Sequence, residues 1–160
     1  MKPTDAPLPL AVDGRQSAAA LEIARGVTRL LVNHGFVCLP EVTLPNDRRA
    51  DLMGISDKGE LWIVEVKSSI EDFRVDQKWP EYQNYCDRLF FAVGLQFPLD
   101  LLPETTGWVV ADRFGAAILR DAPELKLAAA RRKVLTVNLA RLATARLMML
   151  ADPDRCLLSD

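Results

Sequence analysis

The alternation of apolar and polar positions divides the chain into elements before any motif is consulted. Ser17 is a residue type favoured at helix N-caps. Ala20, Ile23, Val27, Leu30, Leu31 and His34 follow it at helical spacing. Gly35 stands where a helix-terminating glycine belongs, so a first helix is expected over 17–34. His34 lies on its apolar side near the end, where packing or capping is the expected role. Strands are expected at 36–44 and 50–56, joined by a turn over 45–48. Asp57-Lys58-Gly59 is a hairpin signal. The following segment, 60–68, reads as a third strand, nearly continuous in apolar residues through Leu61, Trp62, Ile63, Val64 and Val66. Such strands are usually buried on both faces.

Residues 69–77 read as a short helix or turn, and Pro80 fits the first turn of a second helix reaching 87. A fourth strand is expected at 89–93. A helix followed by a strand implies a crossover, so this strand should pair in parallel with the third. Beyond a loop at 98–106, short strands are expected at 107–111 and 116–120. Residues 125–150 read as mostly helical, with a break near 136–138. The order α-β-β-β-α-β-β-β-α gives an α/β fold, a mixed central sheet flanked by helices. The proline-rich start, 1–16, reads as an arm, 17–150 as a single domain and 151–160 as a tail.

Composition narrows the class. At 160 residues, 49% hydrophobic and 26% charged, the chain has the size of one domain. A domain of this size buries roughly 68–70% of the surface its unfolded form exposes, so it needs neither disulfides nor a structural metal. The longest uncharged runs, 30–40 and 89–99, are each eleven residues, against about 20 for a membrane span. The first fourteen residues contain one Lys and no apolar stretch of signal-peptide length. A cytoplasmic location without a membrane partner is therefore expected. Cys38, Cys86 and Cys156 form no C-x-x-C pair, and His34 is the only histidine; structural zinc is disfavoured and free thiols fit a reducing compartment. A net charge of −2 does not force a nucleic-acid partner.

Signatures for phosphate-binding loops, dinucleotide folds and serine hydrolases are missing. The unusual feature is Glu65-Val66-Lys67, two charges in a strand that otherwise reads as core. Residues two apart on a strand share a face, about 6.5 Å apart. An unpaired buried charge is costly, so these two must pair, emerge, or meet a metal or a polar substrate. An isolated Glu-x-Lys is ordinarily an ion pair at a strand end. Here, however, Asp51 lies fourteen residues earlier on the strand joined by the hairpin, which can bring it beside Glu65. Two carboxylates and a strand carbonyl form a hard oxygen site suited to Mg²⁺. A neighbouring lysine can orient water and offset charge on a phosphate undergoing hydrolysis.

Asp51 followed by Glu65-Val66-Lys67 resembles the core of PD-(D/E)XK nucleases, with Ala50 where the motif name has Pro. The longer run Arg48-Arg49-Ala50-Asp51, Trp62 to Ser69, Asp72-Phe73, Lys78-Trp79-Pro80, Tyr82, Cys86 to Leu89 and Phe91-Ala92-Val93 resembles the MmcB-related family of bacterial DNA repair proteins. The resemblance covers 17–150. It implies a restriction-endonuclease-like core and a metal-dependent DNA nuclease acting in repair. The alternative is a non-catalytic DNA-binding or repair-complex module on the same fold. Carried over by position, Asp51 and Glu65 become metal ligands with the Val66 carbonyl, Lys67 becomes the catalytic lysine, and Mg²⁺ (or Mn²⁺) the cofactor. Nucleases of this superfamily often add a glutamate from the first helix, and Glu22 is the candidate. Lys78 and Tyr82 have the spacing of a strand-holding Q-x-x-x-Y motif, with Lys in place of Gln. Arg48, Arg49, Arg74, Lys78 and Arg88 are candidate phosphate contacts near the site, and Arg131, Arg132 and Lys133 form a second basic cluster. DNA is the expected partner, with other repair proteins or a second copy of the chain as further candidates.

Overall fold

The computed structural model describes residues 16–154. The expected arm, except Gln16, and the last six residues of the expected tail, including Cys156, lie outside them. Helix α1 is Ala18–Asn33, capped by the Ser17 side chain, which accepts the Ala20 N–H. His34 is its C-cap; the ring Nδ1 lies 2.9 Å from the Leu30 carbonyl, which answers the capping expectation. Gly35 follows with φ +80°, the left-handed conformation that glycine adopts without strain.

Six strands form one sheet in sequence order: β1 (Phe36–Thr43), β2 (Arg49–Ser56), β3 (Leu61–Lys67), β4 (Arg88–Val93), β5 (Gly107–Ala111) and β6 (Ala116–Arg120). β1–β2 and β2–β3 are antiparallel, β3–β4 and β4–β5 parallel, and β5–β6 antiparallel. The parallel β3–β4 pair follows from the crossover through helix α2 (Ile70–Val75) and a 3-10 helix, Trp79–Tyr85. This six-stranded mixed α/β sheet flanked by helices is compatible with a restriction-endonuclease-like core.

The centre of the sheet is apolar on both faces, as the run in β3 required. Trp62, Val64 and Val66 pack with Ile23, Val27 and Leu31 of α1. Leu61 and Ile63 face the other side, with Met53, Tyr82, and Leu135 and Leu139 of helix α3 (Ala129–Ala151). α1 presses closely on the β5–β6 turn: a Cβ at Gly26 would lie 2.1 Å from the Asp112 carbonyl oxygen. Arg29 then donates to the Phe114 carbonyl at 2.8 Å.

Three expectations change. The second helix is a 3-10 helix ending at Tyr85, because the Asp87 N–H is committed to the Leu61 carbonyl at 2.7 Å and draws the chain at once into β4. The last helix starts at Ala129, not 125, because the Leu125 N–H is held by the Asp87 carbonyl at 2.7 Å. It is also unbroken at 136–138. Thr136, Val137 and Asn138 are mediocre helix formers, but Leu135 and Leu139 bury on either side of them. By length and composition α3 is apolar enough to cross a membrane, which a count of uncharged runs misses. Here Arg132 binds Asp87, and Arg146 donates to the carbonyls of Pro40 and Glu41.

Candidate functional site

The site lies where β2 and β3 part. Their ladder runs from Ile55↔Leu61 to Leu52↔Val64 and stops. One step further Asp51 faces Glu65, and side chains take over from backbone pairing. The Asp51 N–H donates to Glu65 Oε1 at 3.1 Å, and the Val66 N–H donates to Asp51 Oδ2 at 2.8 Å. On the other flank of β2, the β1–β2 register skips the Glu41–Asp51 pair, and Glu41 has φ 53°. The sheet therefore opens around Asp51. Since the Val66 N–H points to the β2 edge, its carbonyl, on the same residue of an extended strand, faces that edge too.

The opening is a cleft of about 390 Å³, lined by Asp51, Glu65, Val66 and Lys67, by Gln16, Ser17, Ala20 and Ala24 of the α1 side, by Arg48 and Arg49, and by Asp72, Asp76, Lys78 and Tyr82. Asp51, Glu65 and Lys67 thus meet in one cleft, as the hairpin predicted. Glu65 and Lys67 are 3% and 6% exposed, so their electrostatics are those of a poorly solvated site. Burial pushes the Asp51 carboxyl up to about 6, against the pull of the Val66 N–H and the Lys67 ammonium. Glu65 is pushed well above its ordinary value, first by burial and then by the Asp51 charge. For Lys67 burial works against the charge, but its bond to Asp76 and the nearby Glu65 and Asp72 hold the ammonium above its usual pKa.

Among the described residues, buried Glu65 and half-buried Asp51 therefore share one ammonium, and that ammonium is bound elsewhere, Nζ to Asp76 Oδ2 at 2.7 Å. The centre is short of positive charge. Among the described residues no three His, Cys, Asp or Glu side chains group into a metal cage. Two carboxylates plus a carbonyl fit Mg²⁺, which keeps several waters and takes substrate phosphate oxygens as ligands. They do not fit a metal that requires a closed protein shell.

The other sequence candidates divide. Arg48, Arg49 and Lys78 line the cleft. Arg48 Nε is 3.0 Å from Glu81 Oε2, and Arg49 Nε is 2.5 Å from Glu41 Oε2. Glu22 is exposed and does not reach the cleft. Ala20 and Ala24 face it, and at about 100° per residue Glu22 points to the opposite side of the helix; it is not placed to be a metal ligand. Tyr82 is buried, and its hydroxyl donates to the Arg49 carbonyl at 3.0 Å. It braces the backbone next to Asp51 and is not offered to a DNA strand. Arg88 starts β4 at the end far from Lys67 and pairs with Glu60 at 3.4 Å. In the second basic cluster, Arg132 binds Asp87 and Arg131 donates to the Asn84 carbonyl at 2.9 Å, so these two serve the fold.

Sequence reasoning missed Glu41. Asp72 and Asp76 read from the sequence as helix caps or as groups that support the site; Asp76 ends α2, and its Oδ2 also holds Lys67. The spacing of Asp72 and Asp76, four apart and so on one helical face, was the available signal. Glu41 gave none, because its neighbourhood depends on a left-handed backbone turn within β1.

A family model described as "DNA repair protein MmcB-like" matches residues 7–154. Among solved structures, the chain is similar to the SPO1766 protein of unknown function from Silicibacter pomeroyi. The two share 45% identity with a TM-score of 0.85, over 91% of this chain and 99% of that one. None of the curated proteins matches the chain.

Proposed function

The chain belongs to the MmcB-like DNA repair protein family, and from that premise we propose that its cleft is the site of a metal-dependent DNA nuclease of PD-(D/E)XK type. The observation that carries the reading is the Asp51–Glu65 pair: a half-buried and a buried carboxylate locked to each other's strands, with raised pKa values and, among the described residues, no salt-bridged cation of their own. Structural carboxylates are normally satisfied by a partner, and perturbed groups in a cleft are candidates for chemistry.

Asp51, Glu65 and the Val66 carbonyl would hold Mg²⁺, with Mn²⁺ as a substitute. When bound, the cation supplies Lewis-acid polarisation of a phosphate oxygen and lowers the pKa of a bound water. The chain's own groups do the rest. The Lys67 ammonium, already charged, orients the attacking water by hydrogen bonding and offsets charge that builds on the phosphate. Arg48, Arg49 and Lys78 at the cleft mouth bind neighbouring phosphates, giving affinity without sequence readout. DNA then exchanges with Glu81 for Arg48 and with Glu41 for Arg49, so binding at the mouth weakens steeply with salt. The absence, among the described residues, of a third metal-ligating side chain favours a second reading, a DNA-binding module without cleavage.

The test is cleavage of labelled single-stranded, duplex and branched DNA with Mg²⁺ or Mn²⁺, wild type beside Glu65→Ala and Lys67→Ala. Cleavage by the wild type that both folded variants lose is the expected result. Salt-dependent binding without cleavage by any of the three would replace the nuclease with the binding module.

A further inference from the structure

We propose that Asp76 is the positioning residue of the site: it fixes the Lys67 ammonium in the cleft and so sets where the lysine meets the substrate phosphate. The inference rests on the nuclease reading for its consequence, but on geometry for its substance. Lysine carries four rotatable side-chain bonds and an ammonium with no directional preference of its own. Left alone at the end of β3, it would sample many positions. Asp76 Oδ2 takes the ammonium at 2.7 Å, and Asp76 Oδ1 accepts the Lys78 N–H at 3.1 Å. The carboxylate is therefore itself held, by the backbone that enters the 3-10 helix Trp79–Tyr85.

One turn earlier on α2, Asp72 Oδ2 accepts the Ser68 N–H at 3.3 Å, while the Asp72 N–H is capped by Ser69 Oγ at 3.1 Å. The two aspartates thus clasp the end of β3 at consecutive residues, one by its backbone and one by its side chain. The same 3-10 helix places Tyr82, whose hydroxyl holds the carbonyl of Arg49, next to Asp51. Both halves of the site, the carboxylate on β2 and the lysine on β3, are referred to one short segment following α2. None of the residues in α2 is fully buried. Phe73 packs edge-on against Phe91 and Phe97, while Asp72 and the C-cap Asp76 hold the end of β3.

The test compares Asp76→Asn, Asp76→Glu and the control Glu71→Gln, which removes one charge from an exposed position on the same helix. In single-turnover cleavage, Asp76→Asn should lose about 10- to 100-fold in rate while DNA affinity changes little, the split expected when geometry and not binding is lost. Asp76→Glu should recover part of the rate, and Glu71→Gln should match the wild type. Independently of cleavage, the ¹⁵Nζ signal of Lys67, identified by its loss in Lys67→Met, should be resolved in the wild type and broadened away in Asp76→Asn. An unaltered Lys67 signal, or a wild-type cleavage rate in Asp76→Asn, would overturn the proposal. If the wild type cleaves no DNA, the nuclease reading fails, and the Lys67 signal alone decides whether Asp76 holds the ammonium.

Discussion

β3 has buried carboxylates at both ends, and the two ends treat them in opposite ways. At its start, Asp87 is 6% exposed. It meets the Arg132 guanidinium through two contacts of 2.6 Å and accepts the Leu61 N–H at 2.7 Å. Burial alone would raise the Asp87 carboxyl, but Arg132 and the Leu61 amide outweigh it and hold it below the usual range. At its far end, Asp51 and Glu65 have backbone amides but, among the described residues, no guanidinium, and both are raised. The first end is complete and ties α3 to the sheet. The second is left short of a cation and opens on a cleft. A buried acid with its own base is structural; a carboxylate pair with raised pKa values in a cleft is a candidate site for a charged ligand.

Substitutions at the two ends of β3 should have opposite consequences. The largest effect is expected from Glu65→Gln. Cleavage should fall by about 10²- to 10³-fold, the usual cost of removing one well-placed electrostatic group, with no loss of folding stability in urea titration. Equal loss of stability would make Glu65 a structural group like Asp87. Next, Arg132→Ala strands Asp87 and should cost about 2–3 kcal/mol of stability, below the range for fully buried pairs because Arg132 is 34% exposed. Cleavage per folded molecule should not change.

The pH dependence has a definite sign. Asp51, facing Glu41, Lys67 and Asp72 as well as Glu65, binds its proton more tightly folded than unfolded. Its contribution to stability is therefore greatest below about pH 4 and is lost as pH rises through about 6. Taken alone, a rise from 3.8 to about 6 corresponds to about 3 kcal/mol. Asp76 also faces Glu65, whose stronger shift extends the loss to higher pH. Urea midpoints across this range should decline in the wild type and flatten in Asp51→Asn. A steeper decline in the variant would contradict the assignment. The smallest effect is at the cleft mouth. Arg48 and Glu81 are exposed partners, worth little as a pair, so Glu81→Gln should tighten DNA binding by only about 2- to 5-fold at low salt, and less as salt rises.

Local pattern made the frame legible. Ser17 and Gly35 bracket α1, the 57–59 turn sets the β2–β3 hairpin, and the intervening helical segment implies the parallel β4. The candidate trio is legible for the same reason: Asp51, Glu65 and Lys67 are related by one hairpin register and one strand period. What stayed hidden depends on contacts between distant segments. Asp87 meets Arg132 across 45 residues, and Arg49 meets Glu41 through a backbone kink no spacing rule anticipates. Glu22 failed for the opposite reason. Its proposed role rests on the family resemblance alone, and the face of α1 it occupies is settled by Ile23, Val27 and Leu31, which must point into the core.

The carboxylates at the open end of β3 are proposed to take a cation from solution, because the ammonium beside them, Lys67, is held by Asp76. Mn²⁺ binding, followed by electron paramagnetic resonance in the presence of a DNA oligomer, tests it with wild type, Asp51→Asn and Arg132→Ala side by side. Binding is expected in the wild type and in folded Arg132→Ala, with its loss in Asp51→Asn. Binding that survives Asp51→Asn, or no binding by the wild type, would contradict it.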